Sequence, residues 1–108
     1  MSVPGPGWQR VGATDELDLE EVMSFDFNGR EYAIYHTVDG YFASDGMCTH
    51  EEEALADGIV IDNVIECPLH QGRFDVRSGK ALSAPVCIDL KTFPVQVLDG
   101  DIYVKISD

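Results

Sequence analysis

The sequence predicts an all-β protein, and three observations carry that prediction. Apolar residues alternate with polar ones over short runs instead of recurring at helical spacing. Two-residue turn signals, Asn28-Gly29 and Asp99-Gly100, each stand between two such runs. Helix-former composition is confined to residues 51–56, which allows about two turns at most.

The elements follow in chain order. Residues 21–27 alternate, with Met23, Phe25 and Phe27 on one side, and Asn28-Gly29 turns the chain into a return strand over 31–37. Val38-Asp39-Gly40 makes a second turn into 41–44. Near the other end, 93–98 reads as one strand, Asp99-Gly100 as a turn, and 101–106 as its partner, with Ile102, Val104 and Ile106 on one face. These hairpins form the structural base. Trp8 and Phe93 are expected in its core. His36 shares a strand face with Tyr32 and Ile34 and reads as structural. Residues 45–84 differ. They hold short apolar pieces at 59–61 and 64–65 and polar turns at Asp62-Asn63 and 77–79, so they read as a small insert of short strands and loops. The expected organisation is one domain, with a base of about 1–44 and 85–108 and an insert of about 45–84.

Composition limits the function. The 108 residues are 44% hydrophobic, which excludes disorder, and no run of about 18 apolar residues spans a membrane. The Pro- and Gly-rich start over residues 1–12 does not read as a secretory signal, so a cytoplasmic location is expected. Seven Lys and Arg against 20 Asp and Glu give a net charge of −13. That field repels nucleic acid and anionic membrane surfaces and favours protein partners with basic faces. Three cysteines, at 48, 67 and 87, are an odd number for a disulfide framework and suit metal or redox chemistry better.

The informative residues lie in the insert. Cys48-Thr49-His50 and Cys67-Pro68-Leu69-His70 form C-x-H, sixteen residues, then C-x-x-H. Each loop offers one thiolate and one imidazole, and the Asp62-Asn63 turn between them lets the loops meet. Four such ligands suit a single tetrahedral zinc, or a [2Fe–2S] cluster with two Cys on one iron and two His on the other. Common zinc fingers keep Cys with Cys and His with His. Here each pair is mixed, which favours the cluster and leaves zinc open. Cys87 has no partner at ligand spacing and reads as a small buried strand residue. Arg73, Arg77 and Lys80 follow the second loop and read as a solvated turn, with balancing local acidity or orienting a partner as the alternative.

The same residues carry a family resemblance. Cys48-Thr49-His50 and Cys67-Pro68-Leu69-His70-Gln71-Gly72-Arg73-Phe74-Asp75 resemble the two cluster-binding boxes of Rieske proteins, and the likeness extends through residues 79–85 and 91–95. The match is to the Rieske-type [2Fe–2S] ferredoxins of bacterial aromatic ring-hydroxylating dioxygenase systems. The resemblance implies a Rieske-like antiparallel β-sandwich or barrel base carrying a small cluster-binding subdomain. It implies one [2Fe–2S] cluster per chain, with Cys48 and Cys67 on one iron and His50 and His70 on the other. It further implies an electron carrier with no catalytic residues of its own. Such a carrier takes electrons from an NAD(P)H-dependent flavoprotein ferredoxin reductase and delivers them to a terminal oxygenase. The imidazole edges of His50 and His70 would be the electron's exit, and a third loop at Ala84-Pro85 would shield the cluster. A small Rieske-fold subunit of a nitrite reductase and a zinc-binding structural module are the alternatives. The chain has no room for an oxygenase catalytic domain.

Departures from the wider family bear on the potential. High-potential Rieske proteins have an extra cysteine in each box and a serine hydroxyl donating to the cluster; here those positions are Glu53, Leu69 and Gly72. Glu51, Glu52 and Glu53 directly follow a ligand. One charge at about 8 Å and an effective dielectric of about 20 is worth about 2 kcal/mol, or on the order of 90 mV for one electron. The expected potential is near the low end of the Rieske range, about −150 mV.

Overall fold

A computed structural model describes residues 4–48, 53–68, 72–83 and 88–106. His50, His70, Cys87, the Ala84-Pro85 segment, Glu51, Glu52 and Leu69 lie outside the described residues.

Eleven strands are described: β1 (Trp8–Ala13), β2 (Glu21–Phe27), β3 (Arg30–Thr37), β4 (Gly40–Asp45), β5 (Ile59–Ile61), β6 (Val64–Glu66), β7 (Arg73–Asp75), β8 (Ala81–Ser83), β9 (Thr92–Phe93), β10 (Val95–Leu98) and β11 (Asp101–Lys105). They form three antiparallel sheets in the orders β2-β3-β4-β9, β1-β11-β10 and β5-β6-β7-β8. Three hairpins close through two residues that both take positive φ: Asn28 and Gly29 (53° and 77°), Asp62 and Asn63 (50° and 69°), and Asp99 and Gly100 (53° and 80°). That is the φ signature of the type I′ turn, whose twist matches that of the strands it joins.

The β2-β3-β4-β9 sheet is the middle layer, and β3 shows why. Its residues alternate between two cores. Tyr32 and Ile34 join Leu17, Ala43, Phe93, Ile102 and Val104 in a cluster against the β1-β11-β10 sheet, with Met23, Phe25 and Phe27 packed alongside. Ala33 and Tyr35 point the other way, into a cluster with Val60, Ile65 and Phe74 of the third sheet. A strand buried on both faces carries a continuous apolar run, here Tyr-Ala-Ile-Tyr. Each fully buried large side chain contributes about 1.5–3 kcal/mol.

Several expectations need correction. β1, to which the sequence reading assigned no element, pairs with β11; its register shifts between Arg10 and Gly12, which breaks the alternation. Trp8 is half-buried and belongs to neither core cluster, whereas Phe93 is in the core. The strand expected over 93–98 is two strands interrupted at Pro94, which has no N–H to donate but accepts from the Lys105 N–H at 2.9 Å. Only a single 3-10 turn, Leu55–Asp57, appears in the described part of the segment with helix-former composition. His36 is structural as expected: its Nδ1 donates to the Leu17 carbonyl at 2.9 Å, and its ring stacks on Tyr41 at 4.1 Å.

Beneath the second core, the Ser44 hydroxyl donates to the Asp45 carbonyl at 2.8 Å, so the Tyr35 hydroxyl donates to Ser44 Oγ, also at 2.8 Å. Burial raises the Tyr35 pKa well above its ordinary value. The phenol therefore stays protonated in the fold after an unfolded chain would have lost the proton. Stability from this residue is complete below pH ~10 and declines as pH rises further. Urea unfolding from pH 8 to 11 is expected to show that decline, and a Tyr35→Phe chain to show less of it.

Candidate metal centre

Cys48 lies three residues beyond the end of β4. Gly46, next to that end, receives the chain where no side chain fits, because a Cβ there would lie 2.9 Å from the Glu31 carbonyl oxygen. The Gly46 N–H donates to that same oxygen at 2.9 Å, and the Leu55 N–H donates to the Gly46 carbonyl at 2.8 Å. Met47 bridges Ala54, and the Cys48 N–H donates to the Glu53 carbonyl at 2.9 Å. The first loop thus rises from a short ladder anchored on β3.

Cys67 directly follows the end of β6, and the second loop returns into β7. Here the Cys67 N–H donates to the Gly72 carbonyl at 2.7 Å. The closure matches that of the first loop: in each, the cysteine N–H reaches the carbonyl of the residue five positions on. One step below, the cross-strand partners Glu66 and Arg73 form an ion pair at 3.1 Å. Arg73 therefore closes the hairpin at the foot of the loop, an exposed pair worth about 0.2–1 kcal/mol. Arg77 likewise grips Asp75, at 2.9 and 3.1 Å, and lowers the pKa of that carboxyl through the hydrogen bond.

Both thiols face inward. Cys48 and Cys67 are 6% and 1% exposed and belong to one cluster with Ala33, Tyr35, Leu55, Ile65 and Phe74. Buried soft donors at the feet of two equivalent loops fit an iron–sulfur cluster, because the apolar lining keeps water from the sulfurs. Among the described residues no three His, Cys, Asp or Glu side chains gather as a metal site. The described part of the expected ligand set is the cysteine pair.

Sequence reasoning passed over Gly46, Tyr35 with Ser44, and the Asp39–Asn63 contact (2.8 Å) between base and insert. Gly46, two residues before a candidate ligand, was the one signal that could have pointed to such a close approach.

Comparison with known proteins identifies the family. The model of the Rieske [2Fe–2S] domain matches residues 7–94. The ferredoxin component of the naphthalene 1,2-dioxygenase/salicylate 5-hydroxylase systems of Ralstonia sp. is 38% identical over 100 residues, 93% of this chain and 96% of that protein. Among solved structures, the complex of reduced oxygenase and oxidized ferredoxin in carbazole 1,9a-dioxygenase contains a chain 31% identical to this one, with a TM-score of 0.88 and 94% of both chains covered. The ferredoxin of carbazole 1,9a-dioxygenase from Nocardioides aromaticivorans IC177 is 32% identical, with a TM-score of 0.87 over 93% of this chain and 98% of that one. With the domain model spanning most of its length and relatives of its own size, this chain belongs to the Rieske [2Fe–2S] family, beside the ferredoxin components of aromatic dioxygenase systems.

Proposed function

We propose that this chain holds one [2Fe–2S] cluster, Cys48 and Cys67 binding one iron and His50 and His70 the other. The chain would carry single electrons in the cytoplasm from an NAD(P)H-dependent flavoprotein reductase to the terminal oxygenase of an aromatic ring-hydroxylating dioxygenase system. The observation that carries this reading is the pair of buried thiols at the feet of two loops closed by the same backbone bond. The relatives named as ferredoxin components supply the pathway.

When bound, the cluster supplies a one-electron couple. Cys48 and Cys67 give it two negative charges in an apolar setting, balancing the oxidised irons and sulfides, so reduction leaves a net charge of only −1. His50 and His70, which follow the cysteines by two and three positions in the sequence, would hold the second iron and offer their imidazoles to a partner. The base of about 1–44 and 85–108 and the insert of about 45–84 would have separate tasks. The insert grips the cluster, and the base holds the insert. The net charge of −13 steers basic partner faces toward the chain and disfavours nucleic acid and anionic membranes.

Reconstitution tests the reading. With NADH, a ferredoxin reductase and a terminal oxygenase, product formation is expected to require this chain and to slow as salt rises from about 0.05 to 0.5 M. Turnover unaffected by leaving the chain out, or activity only with a nitrite reductase, would contradict it.

A further inference from the structure

The ends of the hairpins away from the cysteines meet at a polar node. Asp39 sits in the β3–β4 turn, its N–H donating to the buried Thr37 hydroxyl at 3.1 Å. Its Oδ2 accepts from Asn63 Nδ2 at 2.8 Å and from Arg77 at 3.3 Å. Asn63 belongs to the β5–β6 turn, and its backbone carbonyl accepts from the Val76 N–H at 2.9 Å, just past β7. Asp75 and its partner Arg77 complete the node.

Asn63 is the centre of this arrangement. It is only 7% exposed, and its Oδ1 is buried without a partner among the described residues. The carboxylate only accepts, so the amide must present Nδ2 to Asp39. Breaking that bond would strip the buried amide of the side-chain hydrogen bond it makes to Asp39, a state proteins avoid. Asn tolerates the φ of 69°, but glycine would suit it with less strain, so the turn alone does not select the amide.

The topology gives the node its consequence. From the Asp39 turn, β4 leads to Cys48; from Asn63, β6 leads to Cys67; and both thiols end in one cluster. We propose that the Asp39–Asn63 bond is a positioning contact. It pins the insert to the base at the point where the two cysteine-bearing strands begin, and so sets how the two ligand loops face each other. The inference rests on the proposed ligand set only for its spectroscopic consequence.

Amide exchange of the holoprotein tests it. In Asn63→Gly and in Asp39→Ala, the amides of Ile65, Phe74 and Val76 are expected to exchange about tenfold faster than in the wild type, while those of Ile102 and Val104 in β11 stay within about twofold. The double variant should exchange no faster than Asp39→Ala alone, because that substitution already removes the Asn63 bond along with the Arg77 contact. Asn63→Gly changes no charge, so broadening of the rhombic signal of its reduced form would report altered loop geometry. Unchanged exchange in both single variants, acceleration spread equally to β11, additive effects in the double variant, or an unaltered rhombic signal would each overturn the proposal. A protein purified without iron would instead defeat the proposed ligand set, and the exchange comparison would still decide the role of the bond.

Discussion

A Cys67→Ser chain is expected to emerge colourless and without a rhombic signal on reduction. Its side chain is 1% exposed in an apolar cluster, where a hydroxyl replaces a soft thiolate donor and brings a polar group into a dry setting. Burying that hydroxyl costs about 1–3 kcal/mol if it finds no partner, and the stabilisation from cofactor binding is lost as well. The loop closure itself uses the backbone N–H of residue 67 and survives the substitution. The base should therefore stay folded while the insert loosens. Cys87→Ser is the control: the proposed ligand set leaves it out, so that variant should keep full colour.

Gly79→Ala is expected to cost about 3 kcal/mol, combining a backbone cost of about 1–2 kcal/mol for an L-residue in the left-handed region with about 1–3 kcal/mol for overpacking. Gly79 has φ +81°, and a Cβ there would collide with the Leu90 carbonyl oxygen and press on Thr92 Cγ2 at 3.0 Å. The Leu90 N–H also donates to the Gly79 carbonyl at 2.7 Å, so the segment leading into β9 cannot simply move away. Gly29→Ala separates the two costs, because φ there is +77° but a Cβ would meet nothing within 4 Å. Urea midpoints should show Gly79→Ala losing about two to three times as much stability as Gly29→Ala. Equal losses would remove the steric part of the argument.

The hairpins were legible because their turns carry local information. Asn28-Gly29, Asp62-Asn63 and Asp99-Gly100 hold residues that tolerate positive φ, and the flanking alternation fixes which face is buried. What was hidden depends on distant partners. β1 becomes a strand because β11 offers an edge some 90 residues away, and its shifted register blurs the period. Trp8 looked like core by type alone, yet it sits where β1 meets Lys105 near the chain end, and only tertiary position decides burial. Pro94 is plain in the sequence, but the alternation around it runs on as if the strand were continuous, and the break shows only in the pairing. In the site, the two-box spacing was fully readable. The shared burial of Cys48 and Cys67 was not, because it requires β4 and β6 to converge beneath Tyr35 and Phe74. Arg73 and Arg77 read as a solvated turn, and in the fold each is held by a carboxylate, Glu66 and Asp75.

Iron and acid-labile sulfide, measured per chain on protein purified under anaerobic conditions, test the cluster assignment most directly. The proposed ligand set predicts about two irons and two sulfides in the wild type and neither in Cys67→Ser. One zinc per chain with no sulfide would contradict it.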